Sequence, residues 1–566
     1  MAFLTPEVME RRFWLKNYDN EVRPALNYPH IPAYEVLHIA ATLDPDQAAT
    51  DFYGTRITFW ELYLHTVRLA NGFISAGIKK GDRVGLMLPN SPQLVIAFWA
   101  LLQVGAIVVN LNPLYTTDEL RVLFEKTGMT GLVTFDGAVP NVHKLCDMID
   151  LPFVIVTRLS DFIEGQGVST REELELRPDW HHFTQFLEQN TNTKPPAVPI
   201  DPYEDAAVLQ FTGGTTGVPK AATLTHRNLV AAIYQLQEWT KPIVDQIPVP
   251  RRAIIGVLPY FHVFGEICIN AVSAITRSTQ ILFPRFEVNE FMDRIEKIPE
   301  AWYFPTVATM LTAILNHPKA EKLDLARKFN VINPGAGPCT MELLEKARDM
   351  HIHVCQGFGM SETTSLGTSQ PFKGRAKPCC IGIPFPDTDF RFVDTETGED
   401  VPLGQPGELL IQSPLVMKGY WNDPEETAQV LRDGWLHTGD IAYMDEDGYV
   451  FIVDRVKDMI IAGGFNIYPQ EVDAVLLKHP QVIDAMAVGI PDEYRGETLK
   501  AFVVLASDAT VTAEDLTDFC RQQLAAYKIP KSFEFRTSLP RSAVGKALRR
   551  VLRDEEIAKM KSGVRP

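Results

Sequence analysis

The stretch from Thr212 to Lys220 has the composition of a loop that holds a phosphate group. Its glycines let the backbone approach an anion closely, its threonines add hydroxyl donors, and the ammonium group of Lys220 adds positive charge. The glycines are Gly213, Gly214 and Gly217, and the hydroxyl donors are Thr212, Thr215 and Thr216. In a Walker A loop, glycine and lysine directly precede Ser or Thr, and this spacing differs. The pattern therefore indicates phosphate binding and disfavours a P-loop NTPase.

Secondary-structure elements of two kinds must position this loop. A short apolar strand, Ala206–Phe211, leads into it, and helical and strand patterns alternate through the first four hundred residues. For example, a helix is predicted over Glu61–Ala76 and a strand over Arg83–Leu88, while Leu94–Val109 reads as a buried helix followed by a strand. This alternation predicts an α/β fold whose layers contain largely parallel sheets.

The predicted secondary-structure pattern changes twice toward the C-terminus. From Asp387 to Val453, short alternating strands with turns predict a small β subdomain, and a mixed α+β segment follows Asp454. We place the principal boundary near residue 455. The predicted N-terminal domain, 1–454, combines layered α/β subdomains with the small β subdomain, and the predicted C-terminal α+β domain is 455–566.

Composition excludes several classes of protein. The 566 residues carry a net charge of −17, which argues against a nucleic-acid binder that acts through bulk charge. Seven cysteines without a CxxC pair indicate a reducing compartment rather than a disulfide framework or a zinc site. The longest apolar stretch is too short to span a bilayer. We therefore expect a cytoplasmic protein, with peripheral membrane contact and a homodimer left open.

Six segments, in this order, resemble the signature motifs of the adenylate-forming superfamily, which includes acyl-CoA synthetases, firefly luciferase and peptide-synthetase adenylation domains. The segments are Phe211–Asn228, Leu258–Gly265, Gln356–Thr363, Gly434–Asp440, Asp454–Asp458 and Leu539–Lys546. One such block would be a weak signal, whereas six in order are specific. The resemblance covers nearly the whole chain, and the sequence is most similar to bacterial long-chain fatty acid–CoA ligases.

The resemblance implies an ATP-dependent acid–thiol ligase. It would activate a carboxylic acid as acyl-AMP, with release of pyrophosphate, and then transfer the acyl group to CoA. The implied acid is a medium- or long-chain fatty acid. Lys546 would bridge the carboxylate and the α-phosphate, His262 would lie beside the acyl carboxylate, and Lys220 would act on the phosphates. Glu362 and Thr215 would hold Mg²⁺. The implied small-molecule partners are therefore ATP, Mg²⁺, CoA and the acid, with no nucleic acid.

The same resemblance implies a set of nucleotide contacts. Asp440 would bind the ribose hydroxyls, Arg455 the ribose or a phosphate, and Phe358 would stack on adenine. The other implied nucleotide contacts are Thr212, Gly213, Gly214, Thr215, Thr216, Gly217, Gly335, Ala336, Gly337, Gln356, Gly357, Gly359 and Ser361. The C-terminal domain would swing about Arg455–Lys457, presenting Lys546 in one pose and Gly463 and Gly464, as the lining of a pantetheine channel, in the other.

Several positions depart from the fatty-acyl pattern, and three of them bear on the site. Glu266 follows His262 where an apolar or bulky residue usually borders the acyl pocket, and a buried carboxylate beside an alkyl chain is costly unless paired. Thr306 stands near a place where glycine often leaves room for a long chain, and Ala336 replaces a usual glycine, a change we expect to be tolerated. Chain length, and aryl against alkyl substrates, therefore stay open.

Alternatives remain at this stage. An acyl-AMP ligase that loads a carrier protein and an aryl-CoA ligase share the motifs, and a non-catalytic acyl-nucleotide-binding regulator could share the scaffold. Against the regulator stands the complete set Lys220, Glu362, Asp440, Arg455 and Lys546. A serine hydrolase elbow is not supported because Thr363 replaces the second glycine of GxSxG. His181 and His182, in a predicted loop, have no further metal ligand at suitable spacing.

Overall fold

A computed structural model describes residues 11–212, 219–298, 300–462, 465–492, 496–507, 509–541 and 547–561. Two large sheets form most of the N-terminal part. The eight-stranded sheet contains, in spatial order, Gly419–Tyr420, Lys220–Thr225, Ala206–Thr212, Ile107–Asn110, Arg83–Met87, Gly131–Phe135, Phe153–Thr157 and His181–His182. The six-stranded sheet contains Phe329–Gly335, Ala301–Val307, Ala253–Gly256, Thr279–Leu282, Ala48–Phe52 and Thr55–Thr58. Most pairs in both sheets are parallel, as predicted.

Helices flank and join these sheets. The N-terminal helices are Glu35–Leu43, Phe59–Ser75, Pro92–Val104, Thr117–Thr127, Val139–Cys146, Phe183–Gln189, His226–Val244, Val263–Gly265, Val272–Thr276, Val288–Lys297, Ala308–Leu315, Leu325–Lys328, Met341–Asp349 and Pro424–Val430. A π-helix, Glu266–Ala271, joins two of them. One continuous apolar core contains residues of both large sheets together with helices Pro92–Val104 and His226–Val244.

Local signals explain where the predicted elements begin and end. Thr58 and Glu61 form a capping box at the start of helix Phe59–Ser75. Helix Pro92–Val104 begins after Ser91, whose hydroxyl accepts the Leu94 N–H, and it ends at Gly105, which has a φ of 72°. All thirteen residues of this helix are buried, as the apolar run predicted. His181–His182 is a short edge strand and not the predicted loop.

The predicted β subdomain is present but is not self-contained. A five-stranded sheet contains Asp389–Val393, Gly407–Gln412, Trp435–Met444, Leu431–Arg432 and Val450–Arg455, and a three-stranded sheet contains Gly357–Met360, Ser365–Ser369 and Ile383–Pro384. Between two of these strands, Gly419–Tyr420 leaves the subdomain and pairs with Lys220–Thr225 of the eight-stranded sheet. This excursion brings the segment around Tyr420 to the predicted phosphate loop.

A separate α+β unit follows residue 459. Its sheet contains Phe465–Ile467, Ile460–Ala462, Gly496–Leu505, Val482–Asp492 and Ser532–Arg536, and its helices are Pro469–Leu476, Ala513–Arg521 and Arg549–Lys561. The unit has apolar clusters of its own. The predicted fold class is therefore confirmed, whereas the mobility of this domain stays a prediction. In the part of the chain described, no helix is both long and apolar enough to cross a bilayer.

Candidate active site

The predicted phosphate loop connects two adjacent antiparallel strands. Thr212 ends one strand and Lys220 begins the next, and the two residues are paired in register. The two ends of the loop therefore lie next to each other, at the same end of these two strands of the eight-stranded sheet. Five predicted contacts of this loop lie outside the described residues, namely Gly213, Gly214, Thr215, Thr216 and Gly217.

Lys220 and Glu362 meet around one aromatic ring. The Lys220 ammonium lies 5.2 Å from the centroid of the Tyr420 ring, and the Tyr420 hydroxyl donates to Glu362 Oε1 over 2.8 Å. Lys220 also forms an ion pair with Glu426, at the start of helix Pro424–Val430. Burial, followed by the charge of Glu362, raises the pKa of Tyr420 well above its usual value, so its hydroxyl stays a donor at neutral pH. Two residues predicted separately thus share one neighbourhood.

Sequence reasoning missed Tyr420 and Glu426. Neither belongs to a motif with recognisable spacing, and Tyr420 lies in a strand of two residues, too short to show periodicity. Only the pairing of that strand with Lys220–Thr225 brings both side chains to Lys220.

Glu362 occupies a tight turn and has the chemistry of a magnesium ligand. The turn Ser361–Thr363 joins strands Gly357–Met360 and Ser365–Ser369, and Glu362 is 7% exposed. Its backbone carbonyl accepts the Met417 N–H, which fixes the turn against the excursion. A carboxylate oxygen is the donor that Mg²⁺ prefers, and the described hydrogen-bond partner of this carboxylate is a neutral hydroxyl rather than a cation. Glu362 therefore fits the implied metal, while Thr215 lies outside the described residues.

Two groups of predicted nucleotide contacts, Gly335–Gly337 and Gln356–Gly359, lie together at the end of strand Phe329–Gly335. A side chain at Gly335 would come within 2.9 Å of the Phe264 ring and 3.6 Å of the Gly357 carbonyl oxygen. Gln356 accepts the Cys339 N–H, which anchors the turn containing Gly337. The structure therefore places these two groups of predicted nucleotide contacts side by side.

Three of the predicted nucleotide contacts, Gly359, Ala336 and Phe358, differ in what their surroundings or backbone conformation require. Gly359 has no room for a side chain, because a Cβ atom would lie 1.6 Å from the Ser365 carbonyl oxygen. Ala336 adopts a left-handed conformation with φ of 61°, so this replacement of a usual glycine costs about 1 kcal/mol. Phe358 is half-buried against the central core, and its stacking on adenine stays a prediction.

Asp440 and Arg455 form a pair on neighbouring antiparallel strands. They are in register, and Arg455 Nε lies 3.2 Å from Asp440 Oδ1. Asp440 is 4% exposed. Lys457 lies in the turn that follows Arg455, and three other predicted residues, Gly463, Gly464 and Lys546, lie outside the described residues.

A buried carboxyl group lies at the predicted hinge. Asp454 is fully buried, with its side-chain oxygens accepting the N–H groups of Arg455 and of Gln470 in the C-terminal domain. Burial raises the pKa of Asp454 to about 6, although nearby Arg549 opposes the rise. Asp454 thus ties the last strand of the β subdomain to the first helix of the C-terminal domain.

His262 and Glu266 lie at the start of a buried helical segment. His262 Nδ1 accepts the Phe264 N–H, so the ring caps helix Val263–Gly265, and the His262 carbonyl accepts the Glu266 N–H. Glu266 is 1% exposed, and its Oε2 accepts a hydrogen bond of 2.7 Å from Asn110 Nδ2. Burial raises the pKa of Glu266 to about 8, although the Asn110 bond lowers it in part. The carboxyl group is therefore protonated at neutral pH, and no sequence pattern identified Asn110 as its partner.

We expect Glu266→Gln to stabilise the protein increasingly as pH rises. The folded-state pKa of about 8 lies above the ordinary value of 4.5, so the unfolded chain loses this proton first. The contribution of Glu266 to stability is thus complete below pH 4.5 and is lost as pH rises toward 8. The variant should gain about 1.4 kcal/mol per pH unit over wild type in that window. Thermal unfolding of both proteins between pH 5 and pH 8 checks this, and a constant difference would contradict it.

Comparisons with known proteins agree with this architecture. The family described as "AMP-binding enzyme" matches residues 37–421, and "AMP-binding enzyme C-terminal domain" matches residues 471–546. The chain is 37% identical over 553 residues to a long-chain-fatty-acid–CoA ligase of Bacillus subtilis, covering 96% of this chain and 98% of that protein. It is 32% identical to a probable 4-coumarate–CoA ligase of Dictyostelium discoideum, covering 97% and 98%.

Solved structures show the same likeness. ATP-bound MatB from Rhodopseudomonas palustris superimposes with a TM-score of 0.81 at 26% identity, covering 93% of this chain and 99% of that one. The o-succinylbenzoate CoA synthetase of Bacillus subtilis, in complex with its acyl-adenylate intermediate, gives a TM-score of 0.75 at 28% identity, covering 94% and 99%. The chain therefore belongs to the AMP-binding, adenylate-forming enzyme superfamily, among the acid–thiol ligases of its acyl-CoA synthetase family.

Proposed function

We propose that the protein uses ATP to activate a medium- or long-chain fatty acid as acyl-AMP and then transfers the acyl group to CoA. The observation that carries this proposal is the meeting of Lys220 and Glu362 around Tyr420. A cation suited to phosphate and a carboxylate suited to Mg²⁺ lie together where the phosphate loop begins and ends. The fatty acid class is supported by relatives that are long-chain-fatty-acid–CoA ligases at 36–37% identity.

The first half-reaction is an attack on phosphorus. A carboxylate oxygen of the acid attacks the α-phosphorus of ATP, the bond to the bridging oxygen breaks, and pyrophosphate leaves. Lys220 and Lys546 stabilise the negative charge that gathers on the phosphate oxygens. Mg²⁺ bound at Glu362 would supply further charge neutralisation. Asp440 accepts hydrogen bonds from the ribose hydroxyls and so fixes the nucleotide.

The second half-reaction needs a different arrangement. The thiol of CoA attacks the acyl carbon, and AMP leaves with the oxygen that joined the two groups. In our proposal, rotation about Arg455–Lys457 withdraws Lys546 and presents Gly463 and Gly464 to the pantetheine arm. His262 lies beside the acyl carboxylate in this scheme. Asp454 is buried at the same boundary and accepts hydrogen bonds from backbone N–H groups of both domains. Such a rotation would therefore change the surroundings of its carboxyl group.

The test measures the pyrophosphate and the AMP formed from ATP with single acids, from acetate through long-chain fatty acids to aromatic acids, with and without CoA. We expect one equivalent of pyrophosphate per enzyme with an acid alone, and repeated turnover with release of AMP only when CoA is added. One equivalent of pyrophosphate per enzyme, with no AMP released whether or not CoA is present, would favour loading of a carrier protein. Best rates with aromatic acids would favour an aryl-CoA ligase, and tight ATP binding without turnover on any acid would favour a regulator.

A further inference from the structure

The helical segment that contains Glu266 forms a wall beside the proposed nucleotide site. It begins at His262, and the Phe264 ring lies against Gly335, one of the predicted nucleotide contacts. Two residues after Glu266, Cys268 Sγ lies 3.1 Å from Ser365 Oγ, on the strand that follows the Glu362 turn. Glu266 is therefore buried within the first turns of a segment that contacts both parts of the site.

The hydrogen bonds around Glu266 leave one carboxyl oxygen unused. Asn110 Nδ2 donates to Glu266 Oε2 over 2.7 Å and to Gln210 Oε1 over 3.1 Å, so both of its protons are engaged. Gln210 is itself held, because its Nε2 donates to the Phe261 carbonyl. Glu266 Oε1 is buried and has no hydrogen-bond partner among the described residues. Because Oε2 accepts from Asn110, the proton of the neutral acid resides on Oε1, which is thus a donor without an acceptor.

A second polar group on the same segment has the same character. Asn270 follows Glu266 by four residues, so the two side chains share a face of the π-helix. Asn270 is fully buried, and its Oδ1 accepts from Gln280 Nε2. Its Nδ2, however, finds no acceptor within the ranges that the structure describes. Buried polar atoms are nearly always paired, so two unpaired donors on one helix face indicate a missing acceptor.

We propose that Glu266 and Asn270 recognise an oxygen atom on the acyl chain, so that the preferred acids carry a hydroxyl or carbonyl oxygen along the chain. This inference rests on the function proposed above and specifies its substrate class. A hydroxyl or carbonyl oxygen can accept hydrogen bonds from the two unpaired donors. A plain alkyl chain would leave both donors buried without a hydrogen-bond partner. Replacement of Glu266 by a bulky apolar residue would remove one of these donors and favour binding of a plain alkyl chain instead.

The experiment compares octanoate with hydroxy- and oxo-octanoates that carry the oxygen at different carbons. The measurement is kcat/KM for CoA-dependent AMP formation by wild type, Glu266→Leu and Glu266→Gln. We expect at least one oxygenated acid to exceed octanoate by about tenfold or more with wild type. Glu266→Leu should lose this preference, and Glu266→Gln should keep most of it, because its amide still accepts from Asn110 and donates from the other atom.

The outcomes separate this inference from the proposed function. If octanoate, or an acid with an amino group on its chain, is the best substrate of wild type, the inference is wrong while the proposed function stands. An oxygen preference that Glu266→Leu leaves unchanged also contradicts it. If no acid yields AMP, the proposed function fails and the inference fails with it. The wild-type comparison and the glutamine variant decide the question even if Glu266→Leu does not fold.

Discussion

Lys546→Ala is expected to lose acid-dependent exchange of pyrophosphate with ATP by about 100-fold or more, because one ammonium group no longer stabilises charge at the reacting phosphate. The acid and the α-phosphate both carry negative charge, and the lysine draws them together. The same variant should still convert synthetic acyl-AMP and CoA to acyl-CoA and AMP at close to the wild-type rate. That split follows because Lys546 acts only in the first half-reaction of the proposed scheme.

Lys531→Ala is the matched control for this prediction. Lys531 is an exposed lysine of the same domain, and the contact that holds it is a backbone hydrogen bond from its N–H to the Leu499 carbonyl. Its removal takes away the same charge and should leave both half-reactions unchanged. Full exchange by Lys546→Ala would reject the role assigned to Lys546, and equal losses in both half-reactions would show that its effect is not specific to adenylation.

Glu362→Gln is expected to lower the rate of acyl-AMP formation by about 100-fold and to raise the Mg²⁺ concentration needed for half-maximal rate. The substitution removes the negative charge that attracts the metal ion. The amide oxygen can still accept the Tyr420 hydroxyl, so the turn Ser361–Thr363 should keep its conformation. Titration of the exchange reaction with Mg²⁺ measures both effects, and thermal unfolding checks that the variant is folded.

Glu425→Gln provides the comparison for this variant. Glu425 is exposed and lies in the first turn of helix Pro424–Val430, next to Glu426, which pairs with Lys220. The charge change is the same and the site is near, yet Glu425 has no contact with Lys220 or Tyr420 among those that the structure describes. If Glu362→Gln shows the same Mg²⁺ titration as Glu425→Gln, Glu362 does not hold the metal.

Local sequence signals account for elements whose ends are fixed by their own residues. The capping box of Thr58 and Glu61 and the Ser91 cap of a wholly buried helix are of this kind. The pairing of Gly419–Tyr420 with Lys220–Thr225 could not be predicted, because two residues carry no periodicity and the partner strand is distant in the chain. For that reason the motifs identified Lys220 and Glu362 but not the tyrosine between them.

Glu266 likewise shows which features of the site can be predicted from sequence and which cannot. Glu266 was recognisable as a costly carboxyl group near a predicted acyl pocket, because its type conflicts with its apolar neighbours. How the fold accommodates it could not be predicted, since Asn110 lies at the end of a different strand and is itself oriented by Gln210. The sequence left open whether this carboxyl group is paired, and the fold makes it a protonated group with one of its two oxygens paired.

The most direct test of the central claim follows the oxygen atoms of the acid. A substrate acid labelled with ¹⁸O in both carboxylate positions is incubated with the enzyme, ATP, Mg²⁺ and CoA, and the products are weighed by mass spectrometry. If the acid is activated as an acyl-adenylate, each AMP molecule carries one ¹⁸O atom and pyrophosphate carries none. Unlabelled AMP, or label in pyrophosphate or inorganic phosphate, would contradict the account.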